Sequence, residues 1–432
     1  MFDKISSFPF SNLIRNKSIQ NFIFLSIIQA SNILITIISM PLLIQSIGMD
    51  QFGLVNLSLS VIIISNIFVS FGFNLSGPRD VAVNQGNRKE LSLLISNIIS
   101  GKVIIALIIS VCLFFAIFGM DLFKEYQTIL AFSILLLFSE ATLPLWFFQG
   151  MEKMKLISMG NIFSKLIYLM GIVLFITTPE QSKWVNFLLG GSALGINILL
   201  LYYIRVEMHI IFFKPRLKEI YTSLRNNIHY FLSNLSSYIS LNGGLVILSF
   251  FASSEILGSY SLSEKIIMVA RMFPSLLIQS IYPNATKLYN KDERLFIKFL
   301  RRVYRRGLII SFLIAIGTFF LAPFIVLVLS KSRLEDAILY LRVLSLIPFL
   351  ACLNMANVLI VLVTNQQQQL FKVSLVACGY MIIASIWLTS VYGALGVCIA
   401  LLSTEAVYLF AFSALLYRNV PGLFRRYYLN TQ

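Results

Sequence analysis

The sequence predicts an all-α integral membrane protein of about twelve transmembrane helices. They form two six-helix lobes related by a pseudo-two-fold axis along the membrane normal, around a central cavity. Three observations carry this. Hydrophobic residues make up 58% of the 432-residue chain and charged residues 12%, against about 25% charged in soluble proteins. Apolar runs long enough to cross a bilayer, about 20 residues at 1.5 Å each, recur along the whole chain, whose mean hydropathy is +0.85. Lys and Arg gather in alternate connections between those runs.

The runs fall at 20–44, 53–75, 92–118, 128–148, 156–177 and 184–204 in the first half. In the second half they fall at 228–251, 259–282, 307–330, 338–363, 371–390 and 394–417. The first run is of span length with no small-residue cleavage site after it, so it is expected to stay as a helix and not to leave as a signal peptide. Asp50 and Gly53 suit a tight reversal between the first two spans. The third and fifth spans carry Lys102 and Lys165, and the fourth carries Glu140. The eighth carries Glu264, Lys265 and Arg271, the tenth Arg342 and the twelfth Glu405. Pro41, Pro144, Pro274, Pro283, Pro323 and Pro348, within or ending spans, can kink helices.

With the N-terminus inside, 25 Lys and Arg lie in inner connections or, for Lys372, at the inner end of a span, and only Lys124, Lys183, Lys331 and Arg333 lie in outer connections. By the positive-inside rule both termini are then cytoplasmic. The formal net charge of +16 follows from that topology and requires no nucleic acid. Outer connections are short and leave no room for an external domain. Of the inner segments, 283–306 reads as a headgroup-hugging loop that fixes topology or as a surface helix, with Leu295, Phe296, Phe299, Leu300 and Val303 on an apolar face and Arg301, Arg302, Arg305 and Arg306 around it. Asn365 and Gln366 to Gln369 read as a solvated inner turn.

Several chemistries are excluded by pattern. Cys112, Cys352, Cys378 and Cys398 lie inside spans without CxxC spacing and read as packing residues. Two histidines, His209 and His229, are too few and too separated for a metal site. No phosphate-binding loop of the GxxxxGK[ST] type occurs, so neither a nucleotide site nor any other cofactor is expected.

A shift of 205 residues superimposes Asp50 on Glu255, Gly53 on Gly258, Leu57 on Leu262 and Ser58 on Ser263. Each half then holds six spans and enters the membrane in the same direction, which sets the symmetry axis along the normal. The expected division is an N-terminal lobe at 1–204, a cytoplasmic linker at 205–227 that lets the lobes rock, and a C-terminal lobe at 228–432.

Lys102, Glu140, Lys165, Arg271 and Glu405 lie too deep in their spans for easy escape to water. A charge at the centre of a membrane helix costs roughly 2.5–3.5 kcal/mol, so each should face protein, water or substrate. Glu264, Lys265 and Arg342 lie nearer the outer ends, where long side chains can also snorkel. Glu264, Met268 and Arg271 share one helix face. Arg271 reads either as a ligand in the lumen or as half of an internal salt bridge. Lys102 and Lys165 face the lumen or pair with Glu140.

Two runs add a resemblance: Gly72-Phe-Asn-Leu-Ser-Gly-Pro-Arg-Asp80 and Trp146-Phe-Phe-Gln-Gly-Met-Glu152. They resemble the Wzx-type O-antigen flippases, the polysaccharide-transporter branch of the multidrug/oligosaccharidyl-lipid/polysaccharide exporter superfamily. The second half holds no equally diagnostic run. The resemblance implies a non-enzymatic transporter of the bacterial inner membrane that serves lipopolysaccharide biosynthesis. Its cargo would be an undecaprenyl-pyrophosphate-linked oligosaccharide, moved from the cytoplasmic to the periplasmic leaflet by alternating access and driven by a proton or sodium gradient. A polysaccharide polymerase and a chain-length regulator are the implied protein partners.

A pyrophosphate crossing a low-dielectric slab needs cations to replace its hydration. Arg271, Lys102, Lys165 and Lys265 are the candidates within the spans. Arg79 is a candidate at the inner mouth, or else a topology anchor paired locally. Glu140, Glu405 and Glu264 are candidates for ion coupling, since burial favours a protonated carboxyl. Trp146, Phe147 and Phe148 read as interface-belt residues or as stacking partners for sugar rings. Two other functions compete. A drug/cation antiporter of the same superfamily would favour an acidic or apolar cavity over deep cations, and a membrane polymerase would carry a sizeable outer loop.

Overall fold

The computed structural model describes residues 17–120, 124–364 and 366–428, and among them every regular element is a helix. Asn365 and the side chains of Gln367 and Gln368, part of the expected polar turn, lie outside the described residues. Among the described residues, eleven stretches are long and apolar enough to cross a membrane. The first of them, Ile23–Val83, holds two of the twelve expected spans.

The reason is the first helix, α1 (Lys17–Ser70). At 1.5 Å per residue its 54 residues would run about 80 Å, far beyond a bilayer core of about 30 Å. Gly48, at φ 81° and ψ 169°, breaks it into two arms. A side chain is strained at that positive φ, which explains a glycine there. The reversal therefore falls at Gly48, ahead of the expected Asp50 to Gly53. Gly53 and Gly258 lie inside helices and touch each other: a Cβ on Gly53 would overlap the backbone of Gly258 and Ser254. The internal repeat thus superimposes two glycines that meet in a close helix crossing.

The chain continues through α2 (Phe73–Val83), α3 (Arg88–Phe114), α4 (Gln127–Ser133), α5 (Leu135–Thr142) and α6 (Leu145–Gly150). Then come α7 (Met154–Phe175), α8 (Lys183–Val206) and α9 (Leu217–Leu248). α10 (Ser254–Lys291) and α11 (Glu293–Ser330) follow. The remainder is α12 (Glu335–Leu344), α13 (Ile347–Leu353), α14 (Met355–Val363), α15 (Gln367–Tyr392), α16 (Ala394–Asn419) and α17 (Pro421–Tyr428). Pro144 and Pro348 mark breaks, each at the start of a new helix. Pro41 and Pro323 stay within unbroken turns.

Two compact units emerge. One holds the chain up to Leu42 together with Ser65–Phe231, and the other holds Leu43–Ile64 and the chain from Leu232 onward. The core of the first unit joins Phe73 and Val81 of α2, Leu91, Ile95 and Ile98 of α3, Trp146 to Phe148 of α6, and Leu200 and Ile204 of α8. In the second, Phe296 and Leu300 of α11 pack with Leu359 and Ile360 of α14, Phe412 and Leu416 of α16, and Leu423 and Tyr427 of α17. The expected surface helix at 283–306 is not a separate element. Its basic half forms the first turns of α11, with Phe296 and Leu300 buried in that core.

Within the first unit, the stretch before α9 is fastened along α3. Ser92 Oγ accepts from Ile211 N at 3.1 Å, Ser96 Oγ from Phe213 N at 2.9 Å, and Asn97 Oδ1 from Arg216 N at 3.4 Å. Asn97 also donates to Glu219 at 2.5 Å. Ser92 and Ser96, four apart, share one row of the helix, and the irregular backbone beside them presents the amides of Ile211 and Phe213 to that row.

Candidate functional site

The two family-like runs pack against each other in the first unit. A Cβ on Gly77 would press on the Trp146 ring, and one on Gly150 would overlap the Pro78 carbonyl and Val81. Gln85 donates to the Gly150 carbonyl at 2.6 Å. Trp146, Phe147 and Phe148 are all 0% exposed. They are neither interface-belt residues nor sugar platforms: this aromatic run fills the core where α2 crosses α6. Arg79, on the same helix, is exposed and has no ion-pair partner among the described residues.

The deep charges resolve into two pairs and a remainder. Lys102, fully buried on α3, places Nζ 3.4 Å from Glu140 Oε1 on α5. Arg271 on α10 pairs with Glu405 on α16, the two side chains being 17% and 6% exposed. The Glu405 carbonyl also accepts from Asn354 at 3.2 Å. Opposite charge offsets desolvation only where partners are close and hydrogen-bonded, and both pairs meet that condition. Glu264 is not so neutralised. It accepts from the buried Tyr260 hydroxyl at 3.0 Å, and no cation lies within ion-pair distance of it among the described residues. Its neighbour Lys265 is half-buried.

Lys165 is the deep cation left without a carboxylate. It lies half-buried on α7, and no hydrogen bond or ion pair reaches it among the described residues. Its helix face is polar. Ser158, one face-row below, donates to the Phe24 carbonyl at 3.0 Å, and Asn161, four residues before Lys165, donates to Ser31 Oγ at 2.9 Å and Asn32 Oδ1 at 3.3 Å. Tyr168, three residues after it, is buried beside Ser39 of α1, whose hydroxyl donates to the Thr36 carbonyl at 3.2 Å. Residues three and four apart on a helix are neighbours, so Lys165 lies level with Thr36 of α1, between these contacts. Its ammonium group thus lies on the helix face that meets α1, one turn from Asn161 and without a carboxylate partner among the described residues. Sequence reasoning named Lys165 but missed its polar surround. The signal was present as Ser31, Asn32, Thr36 and Ser39, polar residues at helical spacing within a span.

Residues 18–289 match the family described as "Polysaccharide biosynthesis protein". The chain belongs to that family. It is similar to two proteins named "Putative O-antigen transporter". The one from Escherichia coli (strain K12) is 23% identical over 393 residues, 90% of this chain and 94% of the relative. The one from Shigella dysenteriae is 24% identical over 395 residues, 90% of this chain and 97% of the relative. Among solved structures, an inward-facing MATE transporter of the MOP superfamily overlays with TM-score 0.73 and 12% identity, covering 93% of this chain and 98% of that one. The lipid II flippase MurJ overlays with TM-score 0.70 and 14% identity, covering 95% and 90%. At these identities the structures establish the fold alone, that of an all-helical multi-pass membrane protein. The family match and the two relatives bear out the resemblance read from the runs at 72–80 and 146–152.

Proposed function

We propose that the protein is a flippase for an undecaprenyl-pyrophosphate-linked O-antigen repeat unit, or a similar oligosaccharide, working from the cytoplasmic to the periplasmic leaflet of a bacterial inner membrane. Both termini would be cytoplasmic. The observation that carries the reading is Lys165, a half-buried cation at mid-span, one turn from the hydrogen-bonded Asn161 and with no counter-ion among the described residues. An uncompensated ammonium there costs roughly 2.5–3.5 kcal/mol. That cost is offset when a substrate anion arrives, and a pyrophosphate on a lipid chain brings one while its tail stays in lipid. Lys102 and Arg271 already hold carboxylates and serve the scaffold. For ion coupling, Glu264 is the carboxylate best suited to take up a proton, because Glu140 and Glu405 are each held by a cation.

The names of the two relatives and the shared fold with a lipid II flippase support the substrate class. Unpaired positive charge in a span argues against a drug-cation substrate. The test is movement of a labelled undecaprenyl-pyrophosphate oligosaccharide across vesicles holding the purified protein, with an organic-cation substrate run in parallel. Transport of the lipid-linked sugar alone is expected. Transport of the organic cation alone contradicts the reading.

A further inference from the structure

The exposed face of α11 changes from apolar to basic within one helical turn. Ile309, Ile310 and Leu313 are 55%, 45% and 61% exposed, while Arg302, Arg305 and Arg306, directly before them on the same helix, are exposed cations. Rows at three- and four-residue spacing stack Arg305 beneath Ile309 and Leu313, and Arg302 and Arg306 beneath Ile310. The opposite face is spoken for, since Phe296 and Leu300 lie in the core.

These three arginines have no carboxylate partner among the described residues. The two nearest acids on the chain are engaged elsewhere: Asp292 caps α11 by accepting from Arg294 N at 2.8 Å, and Glu293 bridges to Arg426 at 3.3 Å. α17 is fastened across this end of the unit. Arg301 donates to the carbonyls of Arg426 and Tyr427, unpaired groups at a helix C-terminus. Tyr428 donates to the buried Asn357 at 2.6 Å. The fastening holds the exposed Arg425 at the same end as the α11 cations.

We propose that Arg302, Arg305 and Arg306, with Arg425, form a binding surface for the phosphate groups of anionic phospholipids. Guanidinium forks match phosphate oxygens. Direct continuity with the lipid-length apolar face of α11 selects a lipid over a soluble anion, because the acyl chains of a lipid bound through its phosphate run along Ile309 and Leu313. This surface is separate from Lys165, so the proposal stands or falls apart from the flippase reading.

The test is lipid selectivity of the full-length protein in nanodiscs, measured as the ratio of bound phosphatidylglycerol or cardiolipin to bound phosphatidylcholine. Each basic group is worth about fivefold in preference for an anionic surface. Wild type is therefore expected to prefer the anionic lipids by at least tenfold, less at high salt. Arg302→Ala/Arg305→Ala/Arg306→Ala should abolish that preference, and the triple Lys variant should keep most of it. Should the Ala variant fail to fold, the salt dependence of wild type and of the Lys variant decides the matter. No anionic preference in wild type, or an unchanged preference in a folded Ala variant, overturns the proposal. So does displacement of the lipid by millimolar inorganic phosphate, which marks a site for free phosphate.

Discussion

Removing Arg271 strands a carboxylate. Glu405 is 6% exposed and its partner lies on a different helix, so Arg271→Ala leaves an unpaired charge in the second unit. Breaking a buried pair from one side costs about 3–5 kcal/mol. For a unit of this size each kcal/mol shifts the melting temperature by roughly 2–4 °C, giving a fall of roughly 6–20 °C. The companion variant Arg271→Met/Glu405→Gln removes both charges at similar volume and should recover most of that loss, since a buried pair is often replaceable by neutral groups. The assay is thermal unfolding of purified protein in detergent, with glycan export in cells measured alongside. A structural pair requires that the single variant be unstable and that the double variant be nearly wild type in both stability and export. A double variant that is stable yet exports nothing would refute the assignment and return Arg271 to the substrate path.

The same logic applies in the first unit. Lys102→Met should destabilise it by a few kcal/mol, and adding Glu140→Gln should restore the unfolding temperature. Gly258→Val drives a side chain into the Met49 carbonyl, and overpacking of this kind costs about 1–3 kcal/mol or more, seen as lower yield and lower thermal stability than Gly379→Val, where no atom lies within 4 Å of the added Cβ. Ser92→Ala/Ser96→Ala removes the acceptors for Ile211 and Phe213, each worth about 0.5–1.5 kcal/mol. Amide exchange should quicken at those two residues while the middle of α3 stays protected.

Much of the fold was legible because lipid leaves few options for the backbone: only helices satisfy every amide across a bilayer. Apolar runs therefore mark spans, and the long first helix divides as expected once Gly48 is recognised as the reversal. Turns were less legible. Asp50 and Gly53 look like a reversal by composition, yet Gly53 sits in a helix because it must clear Gly258, a contact 205 positions away that local pattern does not register. The aromatic run at Trp146 misled for a related reason, since its burial depends on Gly77 admitting the Trp146 ring and on Gly150 letting α6 approach the Pro78 carbonyl and Val81 of α2.

Which charges lie within spans was evident from sequence, but their partners were not. Lys102 with Glu140 and Arg271 with Glu405 are separated by 38 and 134 positions. Only packing decides that these four close on one another and that Lys165 is left over. The serines and asparagine that hold the linker to α3 likewise looked like ordinary polar residues at a helix start until the irregular stretch before α9 lay beside them.

The account turns on Lys165, and transport of a labelled undecaprenyl-pyrophosphate oligosaccharide by vesicles containing wild type, Lys165→Arg and Lys165→Met tests it most directly. Loss of one charge-assisted contact of about 1.5–3 kcal/mol predicts a fall of roughly 10- to 150-fold in apparent affinity for Lys165→Met. Lys165→Arg should retain most of the affinity, and the melting temperature of neither should drop. Wild-type affinity in a folded Lys165→Met would contradict the central claim.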